Sequence, residues 1–338
     1  MLNHIIGLSF YHDGKPIFLY PPLIMAILWI AYNIWRVQEI SDELKSTYPQ
    51  CTTSNPRRYW IFFGSMAIMC LTHYPLERFF SRVFDRIVSY EKFPRGSSQR
   101  ESKIAMLGER AFRFINYTGR TPVLYYILLS SNFLDLLLGG NVERPLYFHA
   151  YPCQPLPEYL DDFYVFKISF HLYELGNTLV YGRERADFLE YALHHLMTWA
   201  LIHFSYAMNY IPIGAAIMLI HDVTDIPVTT IKLIADINIT SKYAELVVII
   251  AMFTSWLYLR LWFFPCKIIY RMVEECYHLT VPGMNYSVLN MMLAFLCGLV
   301  CLHIFWFSLM IKAALRMTSK VPETRNQVMF KDLSNRIE

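Results

Sequence analysis

Apolar residues run along this chain in blocks of about twenty, the length an α-helix needs to cross the hydrocarbon core of a bilayer. The blocks fall at 17–36, 58–75, 121–138, 162–181, 188–208, 213–234, 244–266 and 287–313. Eight membrane-spanning helices are predicted; seven is the alternative, because 58–75 is short and 213–234 carries Asp222, Asp225 and Pro227. Short strands of porin-like alternation are absent from the pattern, so the expected fold is all-α, a polytopic transmembrane helical bundle. Pro21-Pro22 interrupts the first block and no small-residue cleavage site follows, which reads as an anchor rather than a cleaved signal.

Composition agrees with a membrane protein. Of 338 residues 55% are hydrophobic, 16% aromatic and 17% charged, against about 25% charged in soluble chains, and the mean hydropathy is +0.30. The segment 76–120 holds ten Lys or Arg, whereas 139–161 carries Arg144 alone among basic residues. The rule that basic loops stay inside predicts 76–120, both termini and the tail after 313 on the cytoplasmic side. Lys267 and Arg271 then fall on the wrong side unless the seventh helix extends past the hydrocarbon. The seven cysteines follow no metal or disulfide spacing and read as small apolar fillers. A net charge of +3 implies no nucleic acid; the basic residues suit topology and anionic headgroups.

The chemistry is concentrated in two polar clusters inside apolar blocks, His194-His195 and His221-Asp222-Val223-Thr224-Asp225. Ionisable groups cost roughly 2.5–3.5 kcal/mol each at the centre of a membrane helix, so such a cluster is the default functional site. Asn209-Tyr210-Ile211-Pro212 has turn chemistry between the two blocks. His195 lies about fifteen residues before that bend and Asp225 about fifteen after it, so both sit roughly 22 Å from the turn. Asp222 shares a helix face with Asp225, and both aspartates are expected to pair with the histidines, Asp225 most closely. Arg183 and Arg185 before the fifth block, with Lys232 at the end of the sixth, form a basic mouth about 13 Å above His194.

A carboxylate orients a buried imidazole and stabilises its protonated form, so the ring can act as a base or attack an activated acyl group. Acyl transfer is the natural reaction class. Metal binding competes chemically, but His171, His194, His195, His203 and His221 form no HxxxH or HxxHH box, and adjacent histidines on a helix point about 100° apart. No metal is expected. A structural reading, in which the histidines only bond across helices to the aspartates, stands beside the catalytic one.

From Arg183 the chain reads RERADFLEYALHHLMTWALIHFSYAMNYIPIGAAIMLIHDVTDIPVTTIKL, which resembles the Lag motif of ceramide synthases within the TLC-domain superfamily. Matching positions are Arg183, Arg185, Asp187, Phe188, His194, His195, Thr198, Leu201, Ile202, Ser205, Tyr206, Asn209, Gly214, Ile217, His221, Asp222, Asp225 and Lys232. Glu109 to Phe114, Tyr151 to Leu156 and Tyr258 to Pro265 are also similar to family elements, so the resemblance covers roughly residues 60–275. Ala186, Tyr191 and Pro227-Val228 depart from the pattern.

The resemblance implies N-acylation of a sphingoid base such as sphinganine by a fatty acyl-CoA in the endoplasmic reticulum, with acyl-CoA as co-substrate and no separate cofactor. It implies His194 and His195 as the catalytic pair, His194 as acyl acceptor or base and His195 as proton shuttle, supported by Asp222 and Asp225. Arg183, Arg185, Thr198, Ser205, Tyr206, Asn209, His221 and Lys232 are its candidate substrate-binding residues. The expected organisation is an N-terminal region, 1–57, with an extra span; a TLC catalytic core, 58–275; a last transmembrane helix, 276–313; and a cytoplasmic tail, 314–338. Membrane lipids surround the protein, and a homodimer or a small accessory membrane subunit is left open. The alternative is a non-catalytic TLC protein that binds or moves lipids, since a fold alone does not confer acyl transfer. HxxxxD and GxSxG acyltransferase signatures are absent.

Overall fold

The computed structural model describes residues 11–12, 15–16, 20–51, 56–91, 93–181, 188–234, 241–278, 281 and 283–319. Eight long helices occupy them: α1 Tyr20–Thr47, α2 Arg57–Ile87, α3 Ser98–Leu129, α4 Leu160–Tyr181, α5 Phe188–Ala207, α6 Ile211–Ile234, α7 Lys242–His278 and α8 Tyr286–Ser319. Strand pairing among the described residues is confined to a two-residue ladder, Tyr11–His12 with Lys15–Pro16, and one isolated bridge. By length and composition α6, α7 and Tyr286–Leu315 of α8 can each cross a membrane. The protein is an all-α membrane protein, and its outer surface carries exposed Leu28, Trp35, Trp60, Phe63, Leu71, Leu193, Ile250 and Ile304.

One predicted span is in the wrong place. The block 121–138 is helical only to Leu129, because Ser131 Oγ bonds back to the Leu128 carbonyl (2.7 Å) and accepts from the Phe133 amide (3.2 Å). Asp135 then caps a short 3-10 turn, Leu136–Leu138, by accepting from the Leu137 amide at 2.8 Å. The apolar run of 133–138 continues the hydrophobic pattern without continuing the helix. At its other end α3 starts far earlier, where Gly96 adopts a left-handed φ of 77° and Ser97 accepts from the Arg100 amide.

Most of the basic segment 76–120 is therefore helix, not loop. Arg100, Lys103, Arg110 and Arg120 are buried in it; Arg100 donates to Asp85 (2.8 Å) and to the carbonyls of Val88 and Phe93. α2 and α3 approach closely at Gly108, where a Cβ would lie 2.7 Å from the Glu77 carbonyl oxygen. That contact requires glycine.

α6 is the central helix, with α3 on one side and α7 on the other, while α5 packs against α4 and α8. Gly214, Ala215 and Ala216 keep the first turns of α6 narrow, as close packing in lipid requires. Tyr164 of α4 fills the notch at Gly214, its hydroxyl 2.5 Å from Ser205 Oγ. Because lipid tails are as apolar as leucine, such fitted contacts and buried polar bonds, rather than apolar burial, decide which faces meet. α1 is held in this way: Ser41 Oγ donates to the Ala207 carbonyl (2.9 Å), and Ser287 Oγ of α8 donates to Asn33 Oδ1 (2.6 Å).

Two further differences from the sequence reading concern the side opposite the basic hairpin. Cys51 and Cys153 are disulfide-bonded with Cα atoms 4.8 Å apart, so these two are not apolar fillers. They lie 102 residues apart, a separation no local spacing rule detects. α7 runs on to His278 through π-helical segments at Trp256–Ile269 and Glu274–His278, which places Lys267 and Arg271 on the helix itself. Arg271 donates to the Pro145 carbonyl and pairs with Glu274 and Glu275.

Candidate active site

The bend between α5 and α6 falls at Met208–Tyr210, where Asn209 takes a left-handed φ of 58° and donates to the Pro152 carbonyl. Pro212 is tolerated in the first turn of α6, where its missing N–H costs nothing. Two antiparallel helices thus carry the predicted clusters. The rings of His194 and His195 stand 5.5 Å apart and inclined by 66°. They face different neighbours: His194, half-buried, meets Trp306 of α8 edge-on at 5.0 Å, and buried His195 meets Tyr191 at 4.4 Å. Tyr191 in turn accepts from Arg113 of α3, itself paired with Glu109.

The aspartates do not pair with the histidines as expected. Asp222 accepts from Lys167 Nζ of α4 at 2.8 and 2.9 Å and from Arg120 Nη2 of α3 at 3.2 Å, all three residues buried. Asp225 accepts from Arg260 of α7, which also donates to Thr224 Oγ1 (2.5 Å) and to the His221 carbonyl (3.1 Å) and stacks on Trp256. Each carboxylate has a cation from another helix to meet, and a buried charge needs such a partner more than a neutral imidazole does. The layer expected from two helices is built from six, α3 to α8.

His221 is also engaged. Its Nδ1 lies 2.7 Å from the Ile217 carbonyl and its Nε2 3.3 Å from Nε2 of His303 on α8. A carbonyl only accepts, so Nδ1 of His221 carries a hydrogen; with His221 singly protonated its Nε2 accepts, and His303 donates from Nε2.

Among the other candidates, Ser205 bonds Tyr164 and the Ile202 carbonyl, and Tyr206 donates to Asp161 (3.0 Å) beneath Arg58. With Asn209 they join helix ends near the disulfide. The Lys232 carbonyl accepts from Arg110 (3.0 Å). The Thr198 hydroxyl is enclosed with no hydrogen-bond partner among the described residues. Arg183 and Arg185 lie outside the described residues.

Arg120, Lys167, Arg260 and His303 were missed, although Lys167, Arg260 and His303 each stand inside a predicted span, the very signal that picked out His194. The described residues also include enclosed polar atoms without hydrogen-bond partners among them: His194 Nδ1, Thr198 Oγ1 and Trp199 Nε1 of α5, His171 Nδ1 of α4, and Arg120 Nε and Nη1 of α3. Native interiors contain few such atoms, and each asks for a ligand or water.

The TLC domain family matches residues 107–312, and the chain belongs to that family. It is similar to ceramide synthase 4 of Bos taurus, 34% identical over 156 residues, covering 46% of this chain and 38% of that protein. Ceramide synthase 4 of Mus musculus is 29% identical over 222 residues, 64% of this chain and 52% of its own length. Ceramide synthase LOH2 of Arabidopsis thaliana is 33% identical over 217 residues, 60% and 70%. The chain thus spans between about two fifths and seven tenths of these relatives.

Proposed function

We propose that this chain is a ceramide synthase that transfers a fatty acyl group from acyl-CoA to the amine of a sphingoid base, with His194 as acyl acceptor or base and His195 as proton shuttle. The observation that carries the proposal is the pair of imidazoles on α5, with His194 Nδ1 enclosed and without a hydrogen-bond partner among the described residues, inside a bundle where Asp222 and Asp225 are already paired with cations. Such a layer is preorganised for a neutral nucleophile and a polar reacting group, and acyl transfer needs both. The similarity to ceramide synthases supports the same choice of reaction.

In this reading Asp222 and Asp225 act through Lys167, Arg120 and Arg260 rather than by touching the imidazoles. Arg183, Arg185 and Lys232 receive the polyanionic head of CoA at the cytoplasmic mouth. All eight helices cross the endoplasmic reticulum membrane, with both termini cytoplasmic. The Cys51–Cys153 disulfide then faces the oxidising lumen, where disulfides persist. Membranes bearing the chain, given labelled sphinganine and acyl-CoAs of graded length, form N-acylated product with at least one chain length. A membrane preparation that binds these lipids and forms no amide supports the non-catalytic alternative.

A further inference from the structure

The last turns of α2 carry Arg78, Arg82 and Arg86 at intervals of four residues, so the three share one face of the helix. All three are exposed, and none has a carboxylate within ion-pair distance among the described residues. With Arg95 and Arg100 they line a cleft of about 1070 Å³ between α2 and the start of α3. The two acids of its lining, Asp85 and Glu101, do not balance them. Asp85 is taken by Arg100, which also donates to the Val88 and Phe93 carbonyls and so closes the hairpin. Glu101 is then left facing four guanidinia. Like charges at i and i+4 destabilise a helix, and an anion seated among them removes that cost.

The cleft opens toward the surroundings of the bundle and away from the candidate active site. Phe80 and Phe84 stand about 200° round α2 from Arg78 and Arg82, and they pack with Leu107, Ala111 and Leu233. The end of α6, with Lys232, therefore lies on the opposite side of α2 from the arginines. Exposed Phe79 and Val83 border the arginine stripe, each one position on from an arginine. Exposed Tyr59 and Trp60 mark the other end of α2, as such rings do at a membrane interface. Arg82 lies 22 residues beyond Trp60, about 33 Å along the helix, and the hydrocarbon core is about 30 Å thick. The arginines thus reach the opposite headgroup layer, while Phe79 and Val83 stay at the edge of the hydrocarbon.

We infer that the α2–α3 cleft binds the headgroup of an anionic membrane phospholipid with a terminal phosphate, its chains lying along Phe79 and Val83. The phosphate oxygens accept from Arg82 and Arg86, which have no other partner among the described residues. Arg78 and Arg95 add charge from the rings they stack on, 4.7 Å from the centroid of Tyr74 and 4.4 Å from that of Tyr90. A guanidinium matches phosphate with two parallel hydrogen bonds, and a terminal phosphate presents three oxygens to more than one arginine. A cluster of this size beside an apolar stripe is the pattern by which proteins hold anionic lipids. The inference uses the membrane crossing of α2 proposed above and does not depend on acyl transfer.

The test incubates the full-length protein, purified in detergent, with an equimolar mixture of dioleoyl phosphatidic acid and dioleoyl phosphatidylcholine. Gel filtration isolates the folded fraction, and mass spectrometry counts each lipid per protein. Wild type retains phosphatidic acid in preference. Arg82→Gln/Arg86→Gln alters two exposed side chains and leaves the fold intact. Its preference falls about fivefold for each arginine removed, the weight of one basic residue at an anionic surface. Arg36→Gln/Lys312→Gln removes the same charge from α1 and α8 and retains as much as wild type. Inorganic phosphate or CoA in large molar excess does not displace the lipid. No preference in wild type, equal losses in the two double variants, or displacement by phosphate or CoA overturns the inference, the last by making the cleft a site for soluble anions. Wild-type protein that retains phosphatidic acid yet forms no amide leaves the inference standing and contradicts the acyl-transfer reading alone.

Discussion

Lys167 of α4 and Asp222 of α6 form a buried ion pair, 2.8 Å between Nζ and Oδ2, with side chains 1% and 4% exposed. Breaking one partner of such a pair leaves an uncompensated charge and costs about 3–5 kcal/mol, whereas replacing both by apolar residues of similar volume is far milder. Lys167→Met is therefore expected to lower the melting temperature and folded yield in detergent sharply, and Lys167→Met/Asp222→Leu to recover part of the loss. Equal stability of wild type and Lys167→Met contradicts the pairing.

Asp225 and Arg260 act as a unit, because Arg260 uses the same guanidinium to hold Asp225, Thr224 and the His221 carbonyl. Asp225→Asn and Arg260→Met should each reduce amide formation, and the double variant should be no worse than the poorer single one. Coupling of about 0.5–3 kcal/mol in the double-mutant cycle is expected for groups in one network. Strict additivity of the two effects contradicts a shared role.

His303 donates to His221 from Nε2 if the tautomers are as the Ile217 carbonyl dictates. His303→Gln, whose amide can donate from a similar position, should keep most of the folded yield. His303→Phe should lose about 1–3 kcal/mol of stability, the cost of a buried group left without its partner. The pair of melting curves checks this; equal losses in both variants contradict the donor role.

The Cys51–Cys153 bond predicts that neither thiol reacts with a maleimide-linked polymer in unfolded, unreduced protein, and that both react after reduction. Cys51→Ser and Cys153→Ser should each lower stability by about 2–4 kcal/mol, the usual loss for a disulfide closing a long loop. Gel mobility shifts before and after reduction read the first claim directly.

Much of the α5–α6 hairpin is legible without coordinates, because Asn209 and Pro212 mark the bend and the helical repeat places Asp222 and Asp225 on one face. Seven of the eight helices lie where apolar blocks predict them. α3 does not, since the apolar run through Leu138 hides the stop at Ser131 and the arginines of 98–120 look like loop charges rather than a buried helix face. The partners of the aspartates were misassigned for a related reason. Local spacing reveals which residues share a face of one helix, but Arg120, Lys167 and Arg260 reach the site from three others. The disulfide is equally invisible, being a consequence of how α2 and α4 are brought together. Lone ionisable residues inside apolar blocks were the available signal, and Lys167, Arg260 and His303 are such residues.

The central claim is that His194 carries acyl transfer to a sphingoid base. Its most direct measurement is formation of N-acylsphinganine from labelled sphinganine and acyl-CoA by wild-type protein and by His194→Ala, compared at equal amounts of folded protein. The account predicts amide from wild type with at least one acyl-chain length and none above background from His194→Ala. Near-normal turnover by His194→Ala, or no amide from wild type with any chain length, contradicts it.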